Sequence, residues 1–186
     1  MSRQKPAGLG TFPLEYAALG LLFKESKHGY LLYQDFVGEF HLIWKAGQAN
    51  FYAALAGLKA SGRVTVTYEA QESNPPRKVF QITDAGRDAF IEWLNTPVTS
   101  MRAFRVEFIA RLHFFTLLNL PGAGALLQQE MALVQRWLDE WDEPALETQR
   151  DPTPAMVADF RRRQARMIIE WLASWQEQLA QTAPLR

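Results

Sequence analysis

The period at which apolar residues recur changes twice between residues 48 and 94, and few folds accommodate that order. Phe51, Leu55 and Leu58 fall at i, i+4 and i+7, one face of a helix predicted from about Gln48 to Ala60. Gly62 ends it. Val64, Val66 and Tyr68 then alternate with Thr65, Thr67 and Glu69, the pattern of a half-exposed strand. Ala70 to Pro76 is polar and holds two prolines, which reads as a long turn, and Arg77 to Ile82 reads as the returning strand. Thr83 suits a helix N-cap and Asp84 the first turn of a helix running to Leu94, with Pro97 beyond it. Upstream, Pro13 can open a helix from Leu14 to Lys24. A second is predicted from near His28 to about Phe40, with Leu31, Leu32 and Phe36 at helical spacing. Met1 to Thr11, with Pro6, Gly8 and Gly10, reads as a loose arm.

Residues 98–186 differ in kind: they carry no strand pattern and three long helical segments. Phe108, Leu112 and Phe115 line the first. In the second, Leu127, Met131, Val134, Leu138 and Trp141 follow a heptad seam. Residues 143–154 hold three prolines and break the helix; the last segment, about Ala155 to Leu179, is expected to bury Phe160, Ile168, Leu172, Trp175 and Leu179. The expectation is therefore a mainly α chain. Residues 1–97 form an N-terminal winged helix-turn-helix domain with a small β-hairpin wing, and residues 98–186 an all-helical dimerisation domain. The seam and the apolar stripe need partners, so a homodimer built mainly from residues 104–181 is expected.

Lys plus Arg is 20 and Asp plus Glu is 20, so the chain is not one that coats nucleic acid non-specifically; a DNA reader of this composition needs locally placed cations. There is no cysteine, which excludes disulfides, thiolate metal sites and cysteine nucleophiles. The first residues lack the apolar core of a secretory signal, and the longest apolar stretch, Tyr16 to Phe23, is too short to span a bilayer. The chain reads as cytoplasmic, with no membrane partner. His28, His41 and His113 lack metal-ligand spacing, and there is no phosphate-cradling glycine loop, no G-x-S-x-G elbow and no marked carboxylate pair. An enzyme is not expected, nor a cofactor or metal.

His28-Gly29-Tyr30 at the start of the second helix, Trp44 ahead of the third, and the frame Tyr52, Leu55, Leu58, Gly62, Val64 resemble the PadR family of transcriptional regulators. So does Pro76-Arg77-Lys78 with Phe80, Ile82-Thr83 and Gly86, which is similar to the family's wing signature in compressed form. Arg105-Val106-Glu107-Phe108 and Glu170-Trp171-Leu172 look like the longer subgroup with a Vir-like C-terminal helical domain. The sequence departs from the pattern at Ala53, where a proline is often found, at Phe80 for tyrosine, and at Lys59 for an acidic residue. Two of these touch the third helix, so no operator sequence can be carried over.

The resemblance implies a regulator that binds double-stranded DNA. Gln48, Asn50 and Tyr52 lie on the outer face of the third helix, and Gln and Asn suit bidentate pairing to adenine. On residue types alone that face is equally an ordinary solvated one; the family frame makes it DNA-facing. Arg77 and Lys78 suit phosphates or a minor groove. Lys27, His28 and Tyr30 open the second helix, whose N-terminus can hold a phosphate, although Tyr30 also reads as core packing with a surface hydroxyl. The tryptophans read as core or dimer interface, or as a pocket for a planar small-molecule effector in which Trp93, Trp137 and Trp171 take part. Arg161, Arg162, Arg163 and Arg166 read as the polar face of the last helix. The functional expectation is a repressor that binds an inverted repeat as a homodimer and is released by an effector. The rival is a winged helix used as a protein-interaction adaptor, which the neutral charge and alanine-rich third helix favour.

Overall fold

A computed structural model of the chain describes residues 13–70, 76–141 and 152–182. Those residues form two compact units, and the chain crosses between them more than once. The first unit comprises residues up to Thr96 together with Arg102–Pro121; the second comprises Pro97–Met101 and the residues from Gly122 onward. The chain first crosses between the units after Thr96, and the helical segment from Arg102 returns to the first unit.

In the first unit α1 (Leu14–Leu21) packs on α2 (Gly29–Phe40), α3 (Gln48–Ala60) and α4 (Asp84–Asn95). Helix α1 is shorter than its apolar run, ending at Leu21 rather than Lys24. It is buried nearly all round: Ala17, Ala18, Leu19, Gly20 and Leu21 are all in the core. A Cβ on Gly20 would lie 2.3 Å from the Phe114 ring and 2.7 Å from that of Phe90, so the absence of a side chain there lets two aromatic rings meet the helix backbone. Phe114 belongs to α6 (Ile109–Leu118), which follows a short α5 (Met101–Ala103) and a π-helical turn at Phe104–Phe108. Phe36, Phe40, Phe51, Phe90 and Phe114 are fully buried and in ring contact in sequence around this centre. A large aromatic core of this kind supplies most of the favourable burial term.

Two strands form the wing, β2 (Val64–Glu69) and β3 (Arg77–Ile82), antiparallel with Val66 opposite Phe80 and Glu69 opposite Arg77. A third strand not expected from the pattern, β1 (Lys27–His28), pairs with the other edge of β3, giving the order β1-β3-β2. Two residues are too few to show an alternation of burial, which is why the hydrophobic pattern misses it. Helix α3 ends in a Schellman turn: Gly62 has φ +71°, its N–H reaches Lys59 O, and the Arg63 N–H reaches Leu58 O at 2.9 Å.

The second unit contains α7 (Ala123–Trp141) and α8 (Thr153–Thr182), packed on each other. Leu126, Leu127, Val134 and Leu138 of α7 are buried, as are Ala165, Ile168 and Leu172 of α8, so the seam read in α7 is used within the chain. Buried Glu130 accepts a hydrogen bond from the Val98 amide at 2.9 Å. Three of the residues expected to be buried in α8 are not core in the single chain: Phe160 is 65% exposed, Trp175 40%, and Leu179 is half-buried. Phe160 and Trp175 lie on a stripe of α8 beside the one that meets α7. No helix among the described residues is long and apolar enough to cross a membrane.

Candidate nucleic-acid interface

Helix α3 buries Phe51, Ala54, Leu55 and Leu58 and turns Gln48, Ala49, Asn50, Ala53 and Ala56 to solvent. Gln48 and Asn50 are therefore the exposed side chains on its first turn able to pair with a base edge. Tyr52 is half-buried and leans toward α2. A Cβ on Gly29 would stand 3.1 Å from the Tyr52 ring, 3.2 Å from its hydroxyl and 2.9 Å from the Phe80 ring. Gly29 is thus the residue that lets the recognition helix, the wing and the start of α2 meet.

Where they meet is a groove of about 680 Å³, lined by His28, Gly29, Tyr30, Leu31, Tyr52, Pro76, Arg77, Lys78 and Phe80. The structure brings seven of the eight expected DNA-facing residues, all but Lys27, to this groove or the α3 face beside it. Tyr30 is 60% exposed, and its hydroxyl accepts a hydrogen bond from Gln34 at 2.8 Å. The side chains of Arg77 and Lys78 make no ion pair or hydrogen bond among the described residues. Their charge is available to a ligand.

Lys27 is placed outside the groove lining, and His28 lines the groove with a carboxylate beside it. Lys27 is half-buried, with its ammonium 2.6 Å from Asp35 and 3.2 Å from Glu25. Burial opposes its charge, but the hydrogen bonds to Asp35 and Glu25 outweigh that and hold its pKa above the usual lysine value. Lys27 is thus neutralised by the protein itself. His28 is the N-cap residue of α2 without a side-chain cap bond, and its Nε2 lies 3.4 Å from a Glu69 carboxylate oxygen. The pattern of cations alone could not distinguish Lys27 from Lys78, because the neutralising carboxylates arrive from α2 and the preceding turn. Sequence reasoning also passed over Lys45, an exposed cation just ahead of the α3 N-cap Gly47; its position before the recognition helix was the available signal.

The wing is fastened at its root. Thr83 Oγ1 accepts from the Gly86 amide at 3.1 Å and donates to the Gly62 carbonyl at 2.8 Å, so the expected N-cap also ties α4 to the turn between α3 and β2.

Of the tryptophans, Trp93 belongs to the first unit, Trp137 and Trp171 to the second. Trp93 is buried, stacks on Tyr16 at 5.0 Å with a 4° interplanar angle, and carries the Arg111 guanidinium 4.9 Å from its centroid. Trp137 and Trp171 are half-buried, and each pairs with a neighbour one turn on, Trp137 with Trp141 and Trp171 with Trp175. Arg161, Arg163 and Arg166 are exposed and Arg162 reaches the Trp141 carbonyl, as suits a polar helix face.

Three helices, a wing on a three-stranded sheet, and an exposed polar turn at the start of the third helix define a winged helix-turn-helix protein. Residues 18–92 match the family model of the PadR-like transcriptional regulators. The family that this stretch matches is one of transcriptional regulators, not enzymes. The chain is similar to the negative transcriptional regulator PadR of Bacillus subtilis strain 168, with 27% identity over 127 residues, 68% of this chain and 70% of that one. It is also similar to the probable transcriptional regulator Rv1176c of Mycobacterium tuberculosis, with 28% identity over 92 residues, 50% of this chain and 49% of that one. Among solved structures, Bacillus subtilis PadR in complex with operator DNA aligns over 89% of this chain and 97% of its own, at 21% identity and TM-score 0.45.

Proposed function

We propose that this chain is a transcriptional regulator that binds double-stranded DNA as a homodimer and represses transcription. The observation that carries the DNA reading is the groove between wing and α2, where Arg77 and Lys78, two cations with no partner among the described residues, face the hydroxyl-bearing rings of Tyr30 and Tyr52. Such a groove suits one strand of a duplex backbone. Helix α3 then lies in the major groove with Gln48 and Asn50 toward base edges. His28, beside the Glu69 carboxylate, lines the groove, while Lys27 is engaged with Asp35 and Glu25 outside it. The activity as a repressor is supported by the similarity to a negative regulator. A DNA-binding role places the protein in the cytoplasm.

The homodimer is supported by α8. Met156, Phe160, Met167 and Trp175 are all exposed and fall on one side of that helix. A soluble chain rarely leaves so many large apolar side chains on one stripe unless another surface covers them. A second copy pairs like with like, and two-fold symmetry of the protein then requires an inverted-repeat operator with half-sites about one or more helical turns apart. Residues 1–97 carry the DNA contacts and residues 98–186 carry most of the dimer contacts. An effector that binds one dimer arrangement better than another would release the operator; within the second unit, the half-buried Trp137 and Trp171 are side chains suited to a planar one.

Selection of bound sequences from a random duplex pool tests this reading. An inverted repeat is expected, with affinity that falls steeply with salt because phosphate contacts release counterions. Absence of duplex binding at any salt would leave the adaptor reading instead.

A further inference from the structure

Seven residues join α2 to α3, and the manner in which they are held determines where the first turn of α3 points. Their start is anchored by backbone: the Ile43 and Trp44 amides reach the Phe40 carbonyl at 2.9 and 2.8 Å. Their end is anchored differently. The Tyr33 hydroxyl donates to the Ala46 carbonyl at 3.2 Å, directly before the N-cap Gly47. Among the described residues no other side chain hydrogen-bonds to residues 45–47. Gly47 brings no capping side chain, and a Cβ there would meet nothing within 4 Å, so neither a cap nor packing holds that point.

The ring of Tyr33 lies 5.6 Å from that of Phe51 and 6.4 Å from that of Phe36, centroid to centroid. Phe51 is fully buried and sits on the second turn of α3. One side chain therefore touches the point about which α3 would pivot and bonds to the point where α3 begins. Gln48 and Asn50 lie between the two.

We infer that Tyr33 is a positioning residue for base reading: its hydroxyl sets the angle of the first turn of α3 and thereby the aim of Asn50 and Gln48. This inference rests on the proposal that α3 reads DNA. A bidentate contact to a base edge depends on distances of about 2.7–3.2 Å and near-linear angles, so a small pivot costs most of it. Phosphate contacts by flexible side chains tolerate the same pivot. Loss of the hydroxyl thus weakens the specific complex and spares the non-specific one.

The test uses the full chain and Tyr33→Phe, which keeps the ring and its packing. Affinity is measured for the duplex selected by the wild type and for a random duplex, with thermal melting alongside. The expected result is a loss of roughly 3- to 10-fold on the selected duplex, the size of one hydrogen bond. The random duplex should change by less than about 2-fold. In an Asn50→Ala background the same substitution should cost much less, because the group it positions is gone. An unchanged ratio of selected to random affinity overturns the role of Tyr33 while leaving DNA reading intact. Equal losses on both duplexes, or full additivity with Asn50→Ala, also overturn it. A wild type that prefers no sequence overturns the DNA reading and this inference with it.

Discussion

Gly86 lies against the backbone of Arg63: a Cβ on Gly86 would stand 2.2 Å from the Arg63 carbonyl oxygen. The same carbonyl accepts the Thr83 amide at 3.1 Å, so the start of α4 and the start of the wing share one backbone contact. In a helix, alanine is ordinarily better than glycine by about 1 kcal/mol. Here backbone must move to admit the methyl group, and Gly86→Ala is expected to reverse the sign, costing about 1–3 kcal/mol. The midpoint of urea unfolding measures it; an unchanged or higher midpoint would show that the turn at Arg63 yields freely.

The wing cations come next. Replacing Arg77 and Lys78 together by Ala should weaken binding to all duplexes about equally and lower the salt slope by roughly one or two. Both side chains line the groove and neither has a protein partner among the described residues. A double variant with an undiminished slope would place the wing off the phosphates.

Lys27 should behave in the opposite way, although it stands beside the same groove. Its ammonium is held by Asp35 and Glu25, so Lys27→Met is expected to leave the salt slope of DNA binding unchanged. It should lower stability by about 1 kcal/mol, since it strands Asp35 without its cation. A slope reduced by a full unit in this variant would mean that Lys27 exchanges Asp35 for a phosphate.

Asn50 carries the base-reading proposal. Asn50→Ala is expected to cost about 1–3 kcal/mol on the selected duplex and much less on random DNA. Competition binding against both duplexes gives the ratio. Equal losses on the two would move specificity to DNA shape or to other side chains.

The exposed stripe of α8 gives the last expectation. Phe160→Glu with Met167→Glu puts charge on the stripe without touching the buried Ile168 and Leu172. Light scattering should show the wild type at twice the 21.3 kDa chain mass and the variant nearer one chain at micromolar concentration. A variant that remains dimeric would put the dimer contact elsewhere.

Much of this protein is legible in the chain itself, wherever the controlling interactions are local. The periodicity around Phe51, Leu55 and Leu58 marks α3 to the residue, because a helix face repeats within a few positions. Alternation marks β2 and β3, Gly62 marks the turn that needs positive φ, and Thr83 marks the cap. Gln48 and Asn50 stand out because the outer face of α3 beside them is otherwise alanine and glycine up to Gly57. What the tertiary structure decided are the relations between residues far apart in sequence. β1 exists only because β3 offers it an edge. α6 joins the first unit because Phe114 finds the bare backbone of Gly20, a complementarity of shape that no local pattern encodes. Phe160 and Trp175 are as apolar as Ile168 and Leu172, yet only the latter pair meets α7, since which stripe of a two-striped helix is buried depends on the partner and not on the repeat. Lys27 and Lys78 are the same residue type, but charge is spent or available according to which carboxylates the fold brings within about 3 Å, and Asp35 reaches Lys27 alone of the two.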